Sequence, residues 1–234
     1  MRKDVFIETG NVTEFRRKVR ALEDTMEGET GFALVYGQAG RGKTETARNY
    51  YAQAGGIYLR VMGGWTKTAF AQALCLLTSG ESPASFAVCK RRVIESLDAA
   101  PRTIFVDEAD RLHVERIEDL RDIHDMTGSP VVLIGELELK GLLGERRRIW
   151  SRVKQVIEFG PVTEEDVAIL AEEAAGLEIA PEAGALIVRR ADGDFRLVWT
   201  LLGQLERAAK ARETTLIDAK LAGDVARQVA GWRN

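Results

Sequence analysis

The chain of 234 residues has two cysteines, two histidines, five prolines and no uninterrupted apolar run of about 18 residues. Cys75 and Cys89 are too few and too far apart for a disulfide framework or a zinc centre, and read as small buried helical residues. His113 and His124 lie within or beside one helix and lack the clustering of metal ligands, so both read as structural. Without a long apolar run no membrane-spanning helix is expected. Met1-Arg2-Lys3-Asp4 leads into no apolar signal region, which gives cytoplasmic as the expected location. A positive net charge is also lacking: 33 basic against 36 acidic residues leave −3, which excludes coating of nucleic acid by bulk attraction. Any such contact must be local. The basic clusters Arg16-Arg17-Lys18 with Arg20, Lys90-Arg91-Arg92, Arg146-Arg147-Arg148 and Arg189-Arg190 are candidates, though such a cluster is more often a solvated helix face than a binding patch.

What is present is a hydrophobic share of 45%, ordinary for a globular protein, and one stretch that organises the rest. Gly37-Gln38-Ala39-Gly40-Arg41-Gly42-Lys43-Thr44 fulfils each fixed position of the G-x-x-x-x-G-K-[ST] phosphate loop. The apolar run Phe32-Ala33-Leu34-Val35-Tyr36 before it reads as a buried strand, and Glu45 to Ala54 after it as a helix. Gly37 and Gly42 permit a tight turn and close approach, so that backbone N–H groups and the helix N-terminus face an anion. Lys43 supplies a point charge for the β- and γ-phosphates, and the Thr44 hydroxyl a hard oxygen for Mg2+. The direct reading is a nucleoside triphosphate with magnesium.

A second motif matches the first. Thr103-Ile104-Phe105-Val106 is a strand pattern ending in the adjacent carboxylates Asp107-Glu108, the Walker B arrangement. Asp107 suits magnesium and Glu108 suits the polarisation of a water, and this pair favours hydrolysis over phosphate transfer to another molecule.

Along the chain, Asp4 to Thr9 reads as an extended lead-in before a helix capped by Asn11, with Glu14 as its capping-box partner and Gly28 as its end. Val12, Phe15, Val19 and Leu22 form the buried face of that helix. Strands are expected at 57–61, 131–135 and 154–159, and helices at 67–77, at 83–97 with Pro83 in the first turn, at 113–126 and at 137–143. Continuous apolar strands alternating with helices predict a five-stranded parallel sheet covered on both faces. After Gly160-Pro161 the chain reads as helical with no strand run, with helices near 163–175, 181–190, 195–210 and 218–230. The expected organisation is an α/β core over 1–160 and a small all-α domain over 161–234.

These features together resemble the AAA+ ATPases over nearly the whole length, as a P-loop core followed by a helical lid. The resemblance implies ATP and Mg2+ as cofactors and assigns roles that the residues alone do not. Trp150-Ser151-Arg152-Val153 is similar to the segment that carries an arginine finger into a neighbouring subunit, which nominates Arg152 ahead of Arg146, Arg147 and Arg148. Gly193-Asp194-Phe195-Arg196 is similar to the lid's second sensor and nominates Arg196. The chain departs from the pattern after Ile134-Gly135, where Glu136 stands in place of a small polar residue. A carboxylate there would face the γ-phosphate unfavourably.

Among these ATPases the softer segments resemble the transposition regulators, the B proteins of Mu-like phages and the TnsC-type target selectors. Val5-Phe6-Ile7-Glu8-Thr9, Val35-Tyr36-Gly37, Gly63-Gly64-Trp65-Thr66, Val106-Asp107-Glu108-Ala109-Asp110 and Gly193-Asp194-Phe195-Arg196-Leu197 carry the similarity. This implies nucleotide contacts from Phe6, Thr9 and Glu45 beside the loop, and a helical ATP-dependent oligomer on double-stranded DNA. It also implies DNA contacts at Arg60, Thr66 and Lys67, where a helix N-terminus and a lysine would meet phosphate without reading sequence. Thr66 as a plain cap and Lys67 as a solvated lysine is an equally open reading. A transposase is the implied partner. A replication initiator or loader, and a signalling or secretion-associated ATPase that binds no DNA, are the alternatives.

Overall fold

A computed structural model describes residues 1–2, 5–24 and 30–229. The expected helix end at Gly28, the start of the lead-in at Asp4, and Ala230 lie outside the described residues. The chain divides into two compact units, one of Asn11–Gln38 and Lys43–Phe159, the other of Met1–Gly10, Ala39–Gly42 and Gly160–Asn234.

The first unit is built on the strands β1 (Phe32–Tyr36), β2 (Ile57–Arg60), β3 (Ile104–Asp107), β4 (Val131–Gly135) and β5 (Val153–Glu158). They form a parallel sheet in the order β2-β3-β4-β1-β5. Its helices are α1 (Gly10–Glu23), α2 (Lys43–Ala54), α3 (Lys67–Ser79), α4 (Phe86–Ala99), α5 (Val114–Thr127), α6 (Leu137–Gly144) and α7 (Arg147–Trp150). Side chains alternate across a strand, so β1 splits between two cores. Phe32, Leu34 and Tyr36 join residues of α3, α4, α5 and α6, whereas Ala33 and Val35 join Phe15, Val19 and Leu22 of α1 and Ala47 and Tyr50 of α2. The α1 face is the one that the spacing predicts. Leu34 is fully buried and pairs with Leu133 and Val156 across its neighbours. Leu34→Ala should cost about 2–5 kcal/mol, which a lowered urea midpoint at unchanged slope would register.

Local signals mark some ends correctly and others not. Thr66 caps α3 by accepting the Ala69 N–H at 3.1 Å, and Gly80 closes that helix at φ 75°. Asn11, however, lies inside α1, and the Glu14 carboxylate pairs with Lys18 and Arg17. Pro83 also lies outside its helix: α4 starts at Phe86, and the Pro83 carbonyl accepts from Gln72 Nε2 at 3.0 Å and Cys89 Sγ at 3.1 Å. A carbonyl committed to two side chains pins the preceding loop, which displaces the helix start. Cys75 and Cys89 are buried and free. His124 is buried with Nδ1 2.8 Å from the Ser129 carbonyl, and His113 caps α5.

The second unit is mainly helical, with α8 (Glu164–Ala175), α9 (Pro181–Ala191), α10 (Phe195–Ala211) and α11 (Ala219–Val229). Thr163 and Asp166 form the expected capping box, at 3.1 and 2.9 Å. Val167, Leu170, Ala171 and Ala174 of α8 enter a core that includes Ile7 of the N-terminal segment. One feature departs from the all-helical expectation: β6 (Glu178–Ile179) and β7 (Leu216–Ile217) pair in parallel. Two-residue strands lie below what alternation of residue type can reveal. Among the described residues no helix is long and apolar enough to cross a membrane.

Candidate nucleotide-binding site

Within the first unit, β4 lies between β3 and β1. The carboxyl ends of these parallel strands therefore bring Asp107, Glu136 and Gly37 to one sheet edge, where open α/β sheets bind ligands. Gly37 leaves β1 at φ 153°, and a Cβ there would stand 2.6 Å from the Phe159 carbonyl oxygen. Lys43 opens α2 and is buried; its Nζ donates to the carbonyls of Gly37 and Gln38, each at 2.7 Å. Burial pulls the ammonium pKa below the usual lysine value, opposed by the charges of Glu136, Asp110, Asp107 and Glu108.

Thr44 follows on α2, and its hydroxyl lies 3.2 Å from both carboxylate oxygens of Asp107. Asp107 is 2% exposed. Its Oδ2 also accepts the Tyr58 hydroxyl at 2.8 Å and its Oδ1 the Glu108 N–H at 3.1 Å. Burial first, and Asp107 second, raise the Tyr58 phenol well above its ordinary pKa, so the hydroxyl remains a donor.

Glu108 adopts the left-handed region at φ 60° and ψ 38°. For a residue with a side chain this costs about 1–3 kcal/mol, and it breaks the alternation of the strand at the second carboxylate. The Glu108 carboxylate lies 3.2 Å from Arg60 Nη2 and 3.1 Å from Arg111 Nε. At the end of β4 the Glu136 N–H donates to Asp110 Oδ1 at 3.0 Å, and a Cβ on Gly135 would come within 2.3 Å of that oxygen. The Glu136 side chain is exposed and caps nothing.

Other nominated residues of this unit have their own partners. Glu45 is exposed and pairs with Arg48 at 3.4 Å. Thr66 is engaged as a cap, and the exposed Lys67 holds its Nζ 4.1 Å from the centroid of the Phe86 ring. Arg152 precedes β5, where its carbonyl accepts the Phe32 N–H at 2.8 Å. This is the amino end of the sheet. The five residues of β1 separate it from Gly37, about 16 Å at strand rise. The Arg152 guanidinium grips Asp125 through Nε at 3.1 Å and Nη2 at 2.9 Å.

In the second unit the tip of the loop, Ala39–Gly42, is bound by the segment nominated for Arg196. Gly40 is at φ 77°, and a Cβ there would lie 2.1 to 2.3 Å from the Asp194 carboxylate atoms. The Phe195 N–H donates to the Gly40 carbonyl at 2.9 Å, and Arg41 Nη1 to the Asp192 carbonyl at 2.7 Å. Gly42 is at φ 90°. Asp194 caps α10 through the Arg196 N–H at 2.7 Å, and the Arg196 side chain is exposed. Half-buried Phe6 and buried Thr9 lie in the lead-in, outside regular structure.

The donor set fits a magnesium polyphosphate. Lys43 and Thr44 open α2, and a helix N-terminus is the arrangement that turns N–H groups on an anion. Thr44 and Asp107 are hard oxygen donors that already meet. Among the described residues no group of three or more His, Cys, Asp or Glu could hold a metal ion. The sequence motifs include Asp110 and Asp194 without giving either a role, and do not include Tyr58. The available signal was the alternation that sets Tyr58 beside Arg60 on one face of β2.

The fold and this site define a P-loop nucleoside triphosphatase domain of the AAA class. A family model described as AAA domain matches residues 26–143, and the chain belongs to that family. The Mu-like prophage FluMu DNA transposition protein B of Haemophilus influenzae is 27% identical over 162 residues, 64% of this chain and 56% of that protein. The ATP-dependent target DNA activator B of Escherichia phage Mu is 26% identical over 181 residues, 71% of this chain and 55% of that protein. The chain thus spans about half the length of the curated relatives it matches. Among solved structures, Cdc6p from Pyrobaculum aerophilum superposes with a TM-score of 0.68 at 18% identity, over 95% of this chain and 67% of that one. That likeness shows the fold.

Proposed function

We propose that this chain is an ATP-dependent DNA-binding ATPase that assembles on duplex DNA as a helical oligomer, selects target DNA for transposition and activates a transposase. The observation that carries the ATPase reading is the meeting of Lys43, Thr44, Asp107 and Glu108 at one edge of the sheet. The transposition reading is supported by the two B-protein relatives. Lys43 exchanges its two loop carbonyls for phosphate oxygens, and the loop N–H groups orient the polyphosphate. Thr44 and Asp107 would hold magnesium, which would supply positive charge to the polyphosphate. Glu108 accepts a proton from the attacking water at a carboxylate oxygen. Arg196, Phe6, Thr9 and Glu45 are assigned to the nucleotide, and Arg152 to the nucleotide of a neighbouring subunit. A soluble cytoplasmic location belongs to the same proposal.

The test is to incubate the pure protein with ATP, magnesium and duplex DNA of mixed sequence, and to measure phosphate release and image the product. Closed rings without DNA would favour a loader. Absence of both assembly and hydrolysis would overturn the reading. Of the three candidate DNA contacts, Lys67 is the most informative, because Thr66 is committed to Ala69 and Arg60 to Glu108. Lys67→Ala should weaken DNA binding uniformly across sequences and reduce the slope of log affinity against log salt by about one. An unchanged slope would remove Lys67 from the interface.

A further inference from the structure

On one face of β2, half-buried Tyr58 and exposed Arg60 occupy alternate positions, and each engages one of the adjacent carboxylates Asp107 and Glu108 at the end of β3. Tyr58 donates its hydroxyl to Asp107 at 2.8 Å, and Arg60 lies 3.2 Å from Glu108. The register explains the pairing: Tyr58 stands opposite Phe105 and Arg60 opposite Asp107, so both side chains lean along the strand to the carboxylate beyond their direct partner. The bond from Tyr58 spans 49 residues of sequence and belongs to neither nucleotide motif.

We propose that Tyr58 is the positioning residue that orients the Asp107 carboxylate for a divalent cation. The inference rests on the reading that Asp107 holds magnesium. Apart from Tyr58, the Asp107 carboxylate has two hydrogen-bond partners, the Thr44 hydroxyl and the N–H of its own neighbour Glu108. The Thr44 hydroxyl is equidistant from both oxygens at 3.2 Å and selects neither. The Glu108 N–H, one residue away, fixes Oδ1 alone. The phenol fixes Oδ2, and with both oxygens tied the plane of the carboxylate is set.

The phenol is itself held. Its ring lies 5.6 Å from the Tyr51 ring at 43°, and the Arg48 guanidinium lies 6.0 Å from its centroid. Both neighbours sit on α2, the helix that begins with Lys43 and Thr44. One rigid element therefore presents Thr44 to the cation directly and sets Asp107 indirectly through Tyr58. Partners of this kind, one step removed from a metal, act by fixing the orientation of its ligands, and their loss lowers metal affinity about 10–100-fold.

Tyr58→Phe keeps the ring and its packing and removes only the donor. The measurement is the affinity of a fluorescent ATP analogue, first in EDTA and then across a magnesium titration, for the parent protein, Tyr58→Phe and Asp107→Asn. Tyr58→Phe should match the parent in EDTA and require about 10-fold more magnesium to reach half of its tightened affinity. Asp107→Asn should lose most of the magnesium response. If Asp107→Asn loses the response and Tyr58→Phe keeps the parent midpoint, Tyr58 does not position the carboxylate. An equal loss for Tyr58→Phe in EDTA and in magnesium would also overturn the proposal, since it would mark general damage to the nucleotide site. If neither variant moves the midpoint, the magnesium role of Asp107 fails together with that of Tyr58.

Discussion

Glu108→Gln should lower ATP hydrolysis by about 10²–10⁴-fold, the usual contribution of a general base, while nucleotide affinity stays at the parent value. The amide has nearly the size of the carboxylate and carries the same backbone cost at φ 60°. What it loses is the capacity to take a proton and the charge facing Arg60 and Arg111. Those ion pairs are partly exposed, with Arg60 at 52% and Arg111 at 51%, so their weakening should leave folding nearly unchanged. The distinguishing readout is a pair of measurements on one preparation: phosphate release under multiple turnover, and affinity for the fluorescent nucleotide. A hydrolysis rate equal to the parent's would place the base elsewhere. Asp110 is a poor substitute, because its Oδ1 already accepts the Glu136 N–H and lies against Gly135.

The two motifs were legible because polyphosphate chemistry fixes residue types at fixed spacing, and the strands before them because buried parallel strands are continuously apolar. Val131–Gly135 matches its expected bounds, and β1 does so as well. What the sequence hid is of another kind. Asn11 and Pro83 carry strong local signals, and both were outweighed: Glu14 finds cations one turn on, and the Pro83 carbonyl finds two side-chain donors. Tyr58 and Asp194 were silent because their roles exist only after folding. The first reaches Asp107 across neighbouring strands, and the second meets a glycine more than 150 residues earlier in the chain, a contact that no local pattern encodes. The segment that holds Arg196 also meets the loop tip through backbone atoms, which no side-chain pattern records. There it is the Phe195 N–H and the Asp192 carbonyl that bind the loop tip.

Arg152→Ala carries the other large expected effect, a fall in assembly-dependent hydrolysis of about 10³–10⁵-fold, the range for an arginine finger, with nucleotide binding retained. Arg152 adjoins Phe32 at the amino end of the sheet, whereas the phosphate loop leaves the carboxyl end of β1. About 16 Å of strand separates them, beyond the reach of one arginine side chain, so any action of Arg152 on nucleotide must be on that of a neighbour. In the free chain its guanidinium is held by Asp125 in a two-bond grip that is 39% and 36% exposed, which adds little to stability and can be exchanged for another anion. The variant should therefore fold normally and lose only the rise of specific activity with protein concentration. Mixing supplies the decisive test. Arg152→Ala subunits keep Glu108, and Glu108→Gln subunits keep Arg152. In a head-to-tail assembly of equal parts, about a quarter of the interfaces then combine an intact base with an intact arginine. Activity should reappear on mixing two preparations that are each inactive alone. No recovery, with both variants binding nucleotide and co-assembling, would exclude action across the interface; full activity of Arg152→Ala alone would exclude the finger role itself.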